Sequence, residues 1–111
     1  METFEQRMIA KYPDNFRECF DFCIGEGWEP IVEKLIGMVV AVKPDIKIVQ
    51  IKEKFGGLRF YVDSANKDVN YLIECAEEAS ERTCEVCGKE GKIVGKNWLQ
   101  CLCPEHGGYD E

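Results

Sequence analysis

Two short motifs near the C-terminus constrain this chain more than anything else in it. Cys84-Glu85-Val86-Cys87-Gly88 is a C-x-x-C-G knuckle. Cys103-Pro104-Glu105-His106-Gly107 has the same shape, with His106 in the last ligand place. Between them, Lys92-Ile93-Val94 and Trp98-Leu99-Gln100-Cys101-Leu102 read as short strands around a Gly95-Lys96-Asn97 turn. A hairpin with a knuckle at each end gathers four soft or borderline ligands, Cys84, Cys87, Cys103 and His106. That donor set suits Zn²⁺ in a tetrahedral structural site with no open position.

Residues 84–111 therefore resemble a zinc ribbon. One ambiguity stays open on spacing alone. Alternation places Cys101 on the same strand face as Cys103, so Cys101 is a rival ligand. The C-P-E-H-G knuckle favours Cys103, but an all-cysteine site that uses Cys101 and Cys103 and excludes His106 also satisfies the pattern. The chain has seven cysteines. The odd count, the C-terminal clustering and the absence of an apolar core in METFEQRMIAKYP predict a reducing, cytoplasmic setting rather than a disulfide framework. The longest apolar run, Met38 to Val42, is too short to cross a bilayer.

The rest of the chain reads as an α+β core over residues 1–83, with the metal unit packed on it in one compact domain. Thr3-Phe4-Glu5-Gln6 has the capping-box pattern and predicts a helix over 3–12, stopped by Pro13. Phe16, Cys19, Phe20 and Cys23 fall at i, i+3, i+4 and i+7. They predict a second helix over 14–24, capped by Asp14 or Asn15 and broken by Gly25 and Gly27. Trp28, Ile31, Val32, Leu35, Ile36, Val39 and Val42 continue a stripe through a helix over 28–43, with Pro30 in its first turn. A last helix, over 66–82 and capped by Asn66, buries Val69, Leu72, Ile73, Ala76 and Ala79. It turns Asp68, Glu74, Glu77, Glu78 and Glu81 outward. Cys19, Cys23 and Cys75, on or beside these stripes, read as packed core thiols rather than nucleophiles.

Residues 46–63 switch to a period of two and predict a hairpin. With Gly56-Gly57 at the turn, Lys54 faces Arg59 and Lys52 faces Tyr61. Val49, Ile51, Phe55, Leu58, Phe60 and Val62 then share an apolar face, with Glu53 the sole intruder. Gln50, Lys52, Lys54, Arg59, Tyr61 and Asp63 share the polar one. The segment carries four cations against two anions in a chain of net charge −7. Lys54 opposite Arg59 needs an anionic offset. Either the protein's own acidic helix supplies it, or a partner does. On the second reading Lys52, Lys54, Arg59 and Tyr61 are a partner-binding surface.

The whole pattern resembles a family of small proteins found in tailed-phage and prophage genomes. A Gly-Trp-initiated helix precedes V-Q-I-K-E-K-F-G-G-L-R-F-Y, and an acidic helix leads into the C-x-x-C-G…W-L…L-C-x-x-H tail. The match covers roughly residues 16–107. The position of Cys101 is usually not a cysteine in that pattern, which supports Cys84, Cys87, Cys103 and His106 as the ligands. The family has no settled activity. The resemblance implies a phage origin and the company of proteins that bind and inhibit host components, CRISPR and other defences among them.

The function expected is therefore a non-enzymatic, zinc-stabilised module that binds and inhibits a host protein. His106 is the only histidine. As a ligand it leaves no free base for cysteine-nucleophile chemistry. The alternative is a nucleic-acid-binding zinc module that uses the basic and aromatic hairpin face, against which the net charge counts.

Overall fold

The computed structural model describes residues 2–110, apart from the side chain of Cys19. The chain is α+β. Its elements are α1 (Phe4–Lys11), β1 (Phe16–Cys23), a 3-10 turn (Glu26–Trp28), α2 (Glu29–Val42), β2 (Ile48–Lys54), β3 (Gly57–Val62), α3 (Lys67–Ser80), β4 (Lys92–Val94), β5 (Gln100–Leu102) and a one-turn α4 (Pro104–Gly107). Three strands form one sheet in the order β1-β2-β3, and β4 and β5 form a second.

The helix expected over 14–24 is a strand. β1 runs parallel to β2, with Phe22 beside Ile51 and Cys23 beside Lys52. The stretch satisfies both periods, because Phe20 and Phe22 also alternate with Asp21 and Cys23. What decides is pairing with β2, some 30 residues later, together with the aromatic preference for a pleated surface. Phe20 packs edge-on against Phe16 at 4.7 Å between ring centroids, and Phe22 packs against Phe4 of α1 at 5.8 Å. Asn15 is no helix cap. It is buried, and its amide nitrogen donates to the carbonyls of Pro44 and Ile46 at 2.9 and 2.8 Å. That tie brings the start of β1 to the turn before β2. With α2 as the crossover, β1-α2-β2 is a parallel βαβ unit.

The other helices lie close to expectation. The capping box is present at α1: Thr3 Oγ1 accepts from the Gln6 amide at 3.1 Å, and Gln6 Oε1 accepts from the Thr3 amide at 2.9 Å. Val32, Leu35, Ile36 and Val39 of α2 are fully buried. They meet Ile48, Ile51, Leu58 and Phe60 of the sheet and Val69, Ile73 and Ala76 of α3 in one core. Asn66 caps α3 through the Val69 amide at 2.8 Å.

Glu77 departs from its expected outward place, and the reason is the sheet edge. Free N–H groups on an edge strand invite unwanted pairing. Here α3 closes the β3 edge with side chains. Ser80 Oγ accepts from the Leu58 amide at 2.9 Å and donates to the Glu77 carbonyl at 2.6 Å. One turn away, the Glu77 carboxylate accepts from the Phe60 amide at 3.3 Å.

The β2–β3 register is shifted by two residues from the expected one. Lys54 faces Gly57, Lys52 faces Arg59 and Ile51 faces Phe60. The turn is Phe55-Gly56, both at positive φ (55° and 81°). Gly57 belongs to the strand, where a Cβ would lie 3.1 Å from Arg59 Nη1 and 3.2 Å from Glu81 Oε2. Glu53, the intruder, caps the turn by accepting from the Gly56 amide at 2.9 Å. A shift of two preserves the faces, so Ile51, Leu58 and Phe60 stay inside. Phe55 does not: it stands exposed at the tip. An irregularity between Ile48 and Gln50 puts Ile48, rather than Val49, fully inside.

The C-terminal unit sits against the α2 entry. Trp28 is fully buried, and its Nε1 donates to the Thr83 carbonyl at 2.8 Å. Gly27 donates its amide to the Glu85 carbonyl at 2.8 Å. The segment Gly25-Glu26-Gly27 is thus a seat for the first knuckle, not a helix stop.

Candidate metal centre and partner surface

The loop after α3 folds back on itself to build the first knuckle. The Cys84 amide donates to the Lys89 carbonyl at 2.7 Å, and the Gly88 amide donates to the Cys84 carbonyl at 2.9 Å. The second knuckle differs from the first. Cys103 precedes α4, which holds His106 one turn later. The left-handed residue is Gly108 rather than Gly107. The strand expected from Trp98 begins only at Gln100, so Trp98 lies in the turn.

These elements bring Cys84, Cys87, Cys103 and His106 together, with all four ligand atoms within 4.8 Å of one another. Cys87 Sγ lies 3.7 Å from Cys103 Sγ. His106 Nδ1 lies 3.2 Å from Cys103 Sγ and 3.6 Å from Cys84 Sγ. Standard zinc–ligand distances in a tetrahedron give edges of roughly 3.8 Å for sulfur–sulfur and roughly 3.6 Å for sulfur–nitrogen. Two of the three contacts, 3.7 and 3.6 Å, match those edges, and the cluster could hold a metal ion.

The local electrostatics favour the thiolate at Cys84 and Cys103 only; hydrogen bonds to Cys103 and Cys84 raise the His106 imidazole, and against the Lys89 backbone N–H, burial and the same two thiols raise Cys87. Burial opposes ionisation of Cys84. The backbone N–H groups of Cys87, Cys103 and Val86 outweigh it and bring the thiol down to about 6. Cys103 is lowered too: burial opposes, and the His106 backbone and ring prevail. Cys101 moves the other way, to about 11, because burial dominates. It is fully buried in the main core rather than in the cysteine cluster. Strand β5 therefore splits the rivals. Cys101 anchors the unit to the body, and Cys103, past the strand end, turns into the cluster.

Two of the other thiols are not packed as expected. Cys23 and Cys75 are exposed. The side chain of Cys19 lies outside the described residues. Cys23 sits at the end of β1, at a cavity of about 450 Å³ that Ile24, Glu26, Glu53, Glu85 and Val86 also line. Burial pushes the Glu85 carboxyl up, against a hydrogen bond from Gln100 Nε2 at 2.8 Å.

Lys52 and Arg59 are cross-strand neighbours, and Gln50 faces Tyr61. Asp21 joins them on β1, accepting from Gln50 Nε2 at 2.8 Å. Both partner readings meet part of the surface. Arg59 leans over Gly57 towards Glu81 and lowers the Glu77 carboxyl, although burial raises that group overall. Among the described residues, the one ion pair within 4 Å joins Lys43 to Asp45. Lys52 and Lys54 are thus free of such pairs, and Tyr61 is exposed. Among the described residues no helix is long and apolar enough to cross a membrane.

The sequence reading missed the exposed aromatics beside this surface. Phe55, assigned to the core, is 64% exposed, and Trp98, assigned to a strand, is 72% exposed. The signal was a bulky residue next to Gly56, the glycine that the turn requires. No family model, curated protein or solved structure matches the chain.

Proposed function

We propose that this protein is a non-enzymatic binding module, stapled by one Zn²⁺ on Cys84, Cys87, Cys103 and His106, that engages a protein partner. The observation that carries the reading is the place of His106. The single histidine lies in contact with two thiols of the cluster. Four protein ligands complete a tetrahedron and leave no position for substrate. Zinc is the metal that three thiolates and an imidazole favour. Its role is to fix the second hairpin against Trp28 and the Phe55-Gly56 turn.

The partner reading rests on Lys52 and Lys54, which make no ion pair among the described residues, and on exposed Tyr61 next to them. The resemblance to small phage proteins supports a host protein as the partner, with inhibition of a defence component as the outcome and the host cytoplasm as the setting. Affinity purification of the zinc-loaded chain from an infected host tests this. A host protein retained in stoichiometric amount, and lost with the Lys52→Ala/Lys54→Ala/Arg59→Ala variant, supports it. Equal recovery with both chains contradicts it. Salt-dependent retardation of an oligonucleotide in a gel shift, lost in the same variant, would select the nucleic-acid module instead.

A further inference from the structure

The Phe55-Gly56 turn carries a cost that folding does not return. A two-residue hairpin turn with positive φ at both centres is the place for Asn-Gly or Asp-Gly. An aromatic residue in the left-handed region is a conformational outlier, because its Cβ crowds the neighbouring backbone. Burial would offset that cost, yet Phe55 is 64% exposed. The turn itself is held by other residues. Glu53 caps it, and Gly56 is buried against Ile93, whose two γ carbons lie 3.2 Å from where a Cβ would stand. Strain at a position that the fold does not need points to function.

The surroundings say what kind. Gly56 also lies against the backbone of Gln100, two residues beyond Trp98 in the second hairpin. Ile93 and Trp98 are both exposed. Lys54 Nζ sits 5.4 Å from the Phe55 ring centroid. Lys96, on the same turn as Trp98, is exposed. Among the described residues neither lysine makes an ion pair, whereas nearby Glu53 and Glu85 are held by Gly56 and Gln100. Exposed aromatics on two neighbouring turns that each carry an exposed lysine have the composition of a binding hot spot.

We propose that the joint between the two hairpins, with Phe55 and Trp98 as anchors and Lys54 and Lys96 on the rim, is the contact surface for a protein whose complementary face is an apolar pocket edged by carboxylates. This rests on the protein-binding reading above and moves its centre from Lys52 and Tyr61 to the hairpin joint. Two other occupants fit less well. A second copy would bring together two chains of net charge −7. A nucleic-acid strand leaving the tip along Lys52 and Arg59 would run into α3, where Glu74, Glu78 and Glu81 are exposed. Repulsion acts there within a Debye length of about 8–10 Å.

The test uses the zinc-loaded full chain as bait for a displayed library of small folded scaffolds with randomised surfaces. Enriched binders should carry clustered acids around apolar residues. They should lose about 30-fold or more in affinity with Phe55→Asn or Trp98→Ser, and at least as much with Lys54→Glu. Phe55→Asn should keep its metal and melt no lower than the parent, because it relieves the turn. Binders that tolerate Phe55→Asn and Trp98→Ser but fail with Lys52→Ala or Tyr61→Ser would overturn the site and leave the protein-binding reading intact. A Phe55→Asn chain that melts well below the parent would make Phe55 structural and overturn the site too. Absence of folded binders, with a twenty-residue oligothymidylate bound through Lys52 and Lys54, would overturn both.

Discussion

The backbone amide of Gly27 donates to the carbonyl of Glu85, at 2.8 Å, inside the first knuckle. A Cβ on Gly27 would stand 2.1 Å from the Cys84 carbonyl oxygen and 2.6 Å from the Gly88 nitrogen. Both are backbone atoms of the knuckle, so neither can step aside without moving a ligand. The metal unit and the βαβ body are therefore fitted backbone to backbone.

Gly27→Ala should cost about 3 kcal/mol or more, at the upper end for overpacked sites. Thermal melting of the metal-loaded variant checks this. The lost stability should come with weaker metal retention, because the added methyl pushes on Cys84. A variant that melts within a degree of the parent would mean that the two units do not meet as described.

Cys101 and Cys103 are separated by one residue and lie in different clusters, Cys101 in the main core and Cys103 with Cys84 and Leu102. Cys103→Ala should abolish tight metal binding. Cys101→Ala should keep one metal per chain and lose about 1 kcal/mol for the small cavity left in the core. Metal analysis after exhaustive dialysis, paired with melting curves, reads both effects.

That division was only partly legible in the sequence. The ligand spacing is local, so C-x-x-C and C-P-E-H pointed to a metal cluster before any fold was known. Alternation could not separate Cys101 from Cys103, because the strand ends between them at Leu102. β1 was misread for a different reason. Phe16, Cys19, Phe20 and Cys23 suit a helix face as well as Phe20 and Phe22 suit a strand, and only the distant β2 decides. The hairpin faces were legible because a register error of two residues leaves them unchanged. The tip was not, because it places a phenylalanine where glycine was the expected occupant.

Ser80 is buried and links the Leu58 amide to the Glu77 carbonyl. Ser80→Ala should leave the Leu58 N–H unpaired against the helix, at about 1–3 kcal/mol. Denaturant unfolding measures the loss. Amide exchange at Leu58 should quicken more than exchange at Ile51 in the middle of the sheet.

Glu77 gives a pH signature at the same edge. Burial raises its carboxyl above the ordinary 4.5, against the Phe60 amide and Arg59. A raised carboxyl contributes stability that is fully present below the unfolded value of 4.5 and lost as pH rises through the folded one. The ionised group therefore costs stability at neutral pH. Glu77→Gln keeps an acceptor for Phe60 and removes the charge. It should melt slightly above the parent at pH 7, and the difference should fade as pH falls to 4. Parallel melting series across that range check the sign.

The central claim is that one zinc, held by three thiolates and one imidazole, ties the second hairpin to the body. Zinc-edge X-ray absorption on the purified chain tests it most directly. The account predicts one zinc per chain with three sulfur neighbours at about 2.3 Å and one nitrogen at about 2.0 Å. A four-sulfur shell, which would bring in Cys101 and release His106, or a fully folded chain without metal, would contradict it.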